Sequence, residues 1–201
     1  MILFHMKHSE QHTMGTHAAY VGVPLADLSA KARGDVLEGV VRRVLERQAG
    51  EAATDAVAGA TVAGRKRGRN SAPYDFDLSG RRVEVKSAQL RWDTASRRWQ
   101  AAWQHIKPDE HDDLYLALYT PFGVYIHLHN GVHGVSTHGK QQAANGGSVN
   151  VYGSRSEPSS LPAVPKSLHR ALGQLLGSFS IGHDEPVAWK PQLFSPPQPS
   201  L

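Results

Sequence analysis

The stretch Pro73-Tyr74-Asp75-Phe76-Asp77-Leu78-Ser79-Gly80-Arg81-Arg82-Val83-Glu84-Val85-Lys86-Ser87-Ala88 decides the fold. Apolar and polar residues alternate over residues 74–78 and again over 82–87, the period of a half-buried strand. Ser79-Gly80 between them has the composition of a two-residue hairpin turn. That turn fixes the register. Leu78 faces Arg81, Asp77 faces Arg82, Phe76 faces Val83 and Asp75 faces Glu84. Phe76, Leu78, Val83 and Val85 then share the core face. Asp75, Asp77, Arg82, Glu84 and Lys86 share the other.

Two carboxylates directly opposed on a sheet repel. A divalent cation compensates them, and an all-oxygen donor set suits Mg²⁺, with Mn²⁺ able to substitute. Lys86, one pleat beyond Glu84, is placed to orient a water or to neutralise a phosphate oxygen. Acid, acid and lysine around a hard cation is a constellation for phosphodiester hydrolysis. A longer turn would shift the register and bring Asp77 forward in place of Asp75, so both aspartates stand as candidate ligands. The alternative is a surface face carrying satisfied charge pairs, such as Asp77 with Arg82.

Upstream, residues 35–48 carry one helical stripe of Val36, Leu37, Val40, Val41, Val44 and Leu45, with Gly34 before it and Gly50 placed to end it. Glu38 falls at the edge of that stripe, where an acid can look into a cleft. Before the helix, residues 21–28 read as a strand or turn and then a short helix. Residues 99–103, 113–119 and 123–129 read as strands, the last two joined by a turn at Pro121-Phe122-Gly123. Residues 166–176 read as a short helix with Leu168, Leu172, Leu175 and Leu176 on one side.

These residues resemble the signature of the PD-(D/E)xK nuclease superfamily, which includes many type II restriction endonucleases. Pro73-Tyr74-Asp75 matches its first half with one residue inserted, and Glu84-Val85-Lys86 matches its second half fully. The resemblance covers roughly residues 35–129. It implies an α/β (α+β) fold of the restriction endonuclease-like type, a central mixed β-sheet flanked by helices. It also implies Asp75 and Glu84 as Mg²⁺ ligands, the Val85 carbonyl as a further ligand and Lys86 as the residue that positions water. The segment ARGDVLEGVVRRVLE resembles the helix that often supplies a glutamate, which maps onto Glu38. Gln104, after the third strand, is a weaker match to a polar residue near the metal-bound water.

The partner implied is double-stranded DNA, cut by a homodimer, since two antiparallel strands call for two sites related by a two-fold axis. A net charge of +4 suits a polyanion. Candidate phosphate contacts are the basic run Arg65, Lys66, Arg67 and Arg69, and the pair Arg97 and Arg98 beside Arg91. Residues 130–160 form a candidate recognition loop, in which Lys140, Gln141 and Gln142 are of the types that read base edges. His127 and His129 share one face of the 123–129 strand. With His133 and His138 they raise a zinc or histidine-based nuclease site as an alternative, against the plainer solvent- or DNA-facing strand edge. A repair, recombination or phage-associated nuclease of the same fold that recognises structure or modification, and a non-catalytic DNA-binding module, are the other competing functions.

The 201 residues contain no cysteine, which excludes disulfides, thiolate metal sites and a cysteine nucleophile and fits a cytoplasmic protein. No run of 18 apolar residues is present, so no membrane span is expected. Nor does any motif call for an organic cofactor. One domain over residues 1–190 is expected, with a loose arm at 1–24 and a disordered tail at 191–201.

Overall fold

In the computed structural model of the chain the residues described are 18–59, 61–62, 65–66, 72–129, 147–152 and 172–179. The helix α1, Ala30–Ala49, starts earlier than its apolar stripe because Ser29 caps it. The Ser29 hydroxyl accepts from the Ala32 amide at 3.2 Å, satisfying one of the amides a helix start leaves unpaired. Gly50 ends the helix in the left-handed conformation, φ 72°, and its N–H donates to the Glu46 carbonyl. Residues 21–28 ahead of it are turns and bends, not a strand.

Strands follow in the order β1 (Thr54–Asp55), β2 (Thr61–Val62), β3 (Arg65–Lys66), β4 (Phe76–Leu78), β5 (Arg81–Gln89), β6 (Arg91–Asp93), β7 (Arg98–Ile106), β8 (Asp113–Thr120), β9 (Gly123–Leu128), β10 (Gly147–Tyr152) and β11 (Gln174–Phe179). The main sheet has the order β1-β4-β5-β8-β9-β11. It is mixed: β5 pairs parallel with β8, and the other ladders are antiparallel. A parallel pair needs a long crossover, usually a helix. Here the crossover is the β6–β7 hairpin, which joins β10 in a second sheet of order β10-β7-β6. Among the described residues one long helix covers the main sheet, and a second sheet accompanies it.

The β4–β5 hairpin has the expected register, Phe76 with Val83, Asp77 with Arg82 and Leu78 with Arg81. Ser79 and Gly80 both have positive φ, 52° and 74°, the mirror-image turn whose twist matches two antiparallel strands. Val83 and Val85 are buried as expected, but so is Glu84 between them, at 8% exposure. The face carrying Glu84 is thus not a solvated one.

Residues 174–176, expected to be helical, belong to the edge strand β11, which pairs antiparallel with β9. Backbone pairing to an open sheet edge outweighs the helical spacing of the leucines. Residues 166–171 lie outside the described residues. Tyr20, Leu37, Val41, Phe76, Trp103, Leu116, Leu118 and Ile126 belong to one buried cluster that joins helix and sheets. No helix among the described residues is long and apolar enough to cross a membrane.

Candidate active site

The decisive local feature is where β4 stops. Its last ladder pair toward Asp75 is Phe76 with Val83. Past that point Asp75 leaves the regular ladder but stays tied to β5: its N–H donates to the Val83 carbonyl at 3.0 Å. Its carboxylate Oδ2 accepts the Val85 amide at 2.7 Å. The side chain of Asp75 thus replaces a backbone acceptor at the edge of β5. In a strand a residue's N–H and C=O point the same way, so the Val85 carbonyl is directed to that same edge.

Glu84 and Lys86, two residues apart on β5, share a face, and the Lys86 ammonium contacts Glu84 Oε1. Burial pushes Glu84 up to about 7 from 4.5; the Lys86 ammonium opposes that rise and Asp75 and Glu38 add to it. Burial likewise raises Asp75, against the Val85 amide and the Lys86 charge, which favour its ionised form. Glu38, half-buried on α1, is pushed up to about 7, first by burial and then by the charges of Asp75 and Asp35, with Lys86 opposing. Three carboxylates, from α1, from the bend before β4 and from β5, therefore sense one another around the Lys86 ammonium. This mutual perturbation in a partly desolvated spot is how functional carboxylates are recognised.

Asp77 is not part of this group. It receives the Tyr74 hydroxyl at 2.9 Å. Arg82, its ladder partner, is held instead by Asp112, at 2.6 and 3.1 Å. Arg81 makes a two-pronged contact with Asp113 at 2.6 and 2.7 Å. The geometry thus separates the two aspartates that the sequence left open.

One residue near the cluster was missed. His111, half-buried just before β8, is lowered from 6.5 by burial first and then by the Lys86 and Arg82 charges. The parallel register that places Leu114 beside Glu84 brings it there, and nothing local in the sequence reveals that register.

The other candidates lie elsewhere. Gln104 is exposed within β7 rather than after it. Arg97 is exposed in the β6–β7 turn, with φ 49°. Arg98 packs its guanidinium over the Tyr152 ring, 5.1 Å from the centroid. Arg65 and Lys66 form the short strand β3, whereas Arg67, Arg69, Lys140, Gln141 and Gln142 lie outside the described residues. His127 and His129 are not a solvent-facing edge: their exposures are 0% and 4%. His127 lies in β9, between β8 and β11, and His129, one residue past the end of β9, has Nδ1 3.0 Å from the Leu172 carbonyl oxygen. His133 and His138 lie outside the described residues.

Among the described residues no group of three or more His, Asp or Glu side chains is drawn together into a ready coordination sphere. The chemistry of the donors nevertheless fits a hard cation: carboxylate oxygens of Asp75 and Glu84, a carbonyl directed to the same edge, and no sulfur. A cation held there would displace Lys86 from Glu84. Comparison of the chain with protein-family models, with curated proteins and with solved structures gives no match.

Proposed function

We propose that this chain is a Mg²⁺-dependent endodeoxyribonuclease with a restriction endonuclease-like core, hydrolysing phosphodiester bonds of double-stranded DNA. The observation that supports it is the convergence of Glu38, Asp75 and Glu84 around Lys86 where β4 ends beside β5. Asp75 and Glu84 would hold the cation, with the Val85 carbonyl as a further donor. A bound Mg²⁺ or Mn²⁺ supplies polarisation of the phosphoryl oxygen and a more acidic water.

The chain's own groups do the rest. Lys86, released from Glu84, donates to a phosphate oxygen and holds the attacking water in line. Glu38, which titrates near neutrality, accepts the proton that water loses. The new P–O bond forms as the bond to the 3′ oxygen breaks, and that oxygen takes a proton from solvent. The products carry a 5′-phosphate and a 3′-hydroxyl. A sequence-specific, type II-like restriction enzyme acting as a homodimer is the role in which this chemistry is best placed.

Incubating supercoiled plasmid with the protein and Mg²⁺ tests the proposal. Discrete linear fragments support the restriction role, and nicking that depends on DNA structure keeps the chemistry but assigns it to repair or recombination. An intact plasmid with Mg²⁺ and with Mn²⁺, across several DNA substrates, refutes the hydrolytic reading. Lys86→Ala and Glu84→Ala proteins that still fold and still cut would refute the site.

A further inference from the structure

Past Val83 the free edge of β5 has no neighbouring strand among the described residues, because β4 ends there. A cleft of about 220 Å³ opens around its far end, between the start of α1 and β7. Its lining includes Arg33, Ser87, Gln89, Arg91 and Gln104 and contains no acidic residue. Ser87 to Gln89 lie one to three residues beyond Lys86, roughly 3–10 Å along the strand.

Among the described residues neither arginine is in a salt bridge with a carboxylate, although Asp93 feels the Arg91 charge. Arg33 donates to the Leu28 carbonyl at 3.1 Å and stacks over Tyr119, 5.5 Å from the ring centroid. Arg91 is exposed, and the nearby Asp93 is already engaged by the amide and hydroxyl of Ser96. A second, independent feature bears on the same cleft. The β7–β10 ladder slips a residue between Gly147 paired with Ile106 and Val149 paired with Trp103. His105, in the slipped segment, has φ 59°, a conformation non-glycine residues rarely adopt. Bulges of this kind re-aim a side chain, and Gln104 beside it lines the cleft.

We propose that this cleft is a phosphate subsite, in which Arg33 and Arg91 hold a DNA phosphate near the one to be cleaved and Gln104 donates to the same group. The assignment rests on the nuclease reading for its choice of ligand. Two guanidiniums lining one cleft suit a phosphate monoester or diester, whose oxygens accept paired N–H donors, and Asp93, which feels the Arg91 charge, lies outside that lining.

The test is binding without cleavage. A short fluorescein-labelled duplex is titrated with the full chain in EDTA over a range of salt, with 5′-phosphate or 5′-hydroxyl ends. Each phosphate contact contributes about 0.9 to the slope of log K against log salt. Arg91→Gln and Arg33→Gln should each lower that slope by about one unit and weaken binding several-fold. Arg47→Gln, on the last turn of α1, should leave it unchanged. Gln104→Ala should weaken binding with the slope intact. An effect confined to 5′-phosphorylated ends makes the ligand a terminal phosphate, and an equal effect on both makes it an internal diester. Unchanged slopes in both arginine variants, or no binding by the wild type, overturn the subsite. A protein that shows the slope changes yet never cleaves plasmid would retain the subsite and lose the nuclease reading. One that cleaves normally with unchanged slopes would do the reverse.

Discussion

Replacing Glu84 by glutamine isolates the cost of a buried carboxylate. Glu84 is 8% exposed, and its folded-state titration is raised from 4.5 to about 7. Between those two values the folded chain binds more protons than the unfolded one, so stability falls as pH rises. The contribution is complete below 4.5 and is lost once pH passes about 7. At roughly 1.4 kcal/mol per pH unit, the loss is about 3 kcal/mol, with the Lys86 attraction already counted in the titration. Glutamine keeps the neutral shape and does not ionise, so Glu84→Gln should escape that loss. Urea unfolding of both proteins at pH 4 and pH 8 gives the comparison. The stability of the variant relative to wild type should grow by about 3 kcal/mol from the lower pH to the higher. Parallel curves, with the difference changing by less than about 1 kcal/mol, would show that Glu84 is not held in a desolvated cluster.

Asp75→Asn should lower Mg²⁺-dependent plasmid cleavage at least about 100-fold, the scale of losing one charged transition-state partner, whereas Asp77→Asn should stay within a few-fold of wild type in the same assay. Cleavage rate against pH should rise through about 7 and fade below it, because Glu38 and Glu84 both titrate there and must lose their protons to act; a flat profile from pH 6 to 8 would oppose their roles. Gly173→Ala should loosen β11, since its φ is 103° and a Cβ would meet the Leu128 carbonyl oxygen at 2.4 Å. Chemical denaturation should register a loss of about 1–3 kcal/mol. Gly80→Ala, at φ 74° in open space, should cost about 1 kcal/mol from backbone conformation alone, by the same measurement.

Local chemistry made part of this fold legible. The hairpin register followed from Ser79-Gly80 and from side-chain alternation, because turn type and strand period are properties of adjacent residues. The helix and its end at Gly50 followed from spacing and from a residue that tolerates positive φ. Glu38 was placed at the cluster by its position at the edge of the helical stripe.

What the sequence concealed depends on distant partners. Glu84 is buried because β5 pairs with β8 there and α1 packs against β5, and alternation along β5 alone cannot say which face is covered. His127 read as a surface histidine because β11, the strand that encloses it, has the leucine spacing of a helix. His111 reached Lys86 through a parallel ladder whose crossover is a hairpin of a separate sheet. The choice between Asp75 and Asp77 needed the bond from the Val85 amide, which forms only once β4 has ended.

The most direct test of the cluster as a cation site is calorimetric titration of Mn²⁺ into the full chain at pH 6.5, in buffers of different ionisation heat. Glu38 and Glu84 are both partly protonated at that pH, so binding should be accompanied by proton release. The wild type should bind and release about one proton, and Asp75→Asn and Glu84→Gln should each bind much more weakly. Equal Mn²⁺ affinity in all three proteins, or no binding by the wild type, would contradict the assignment.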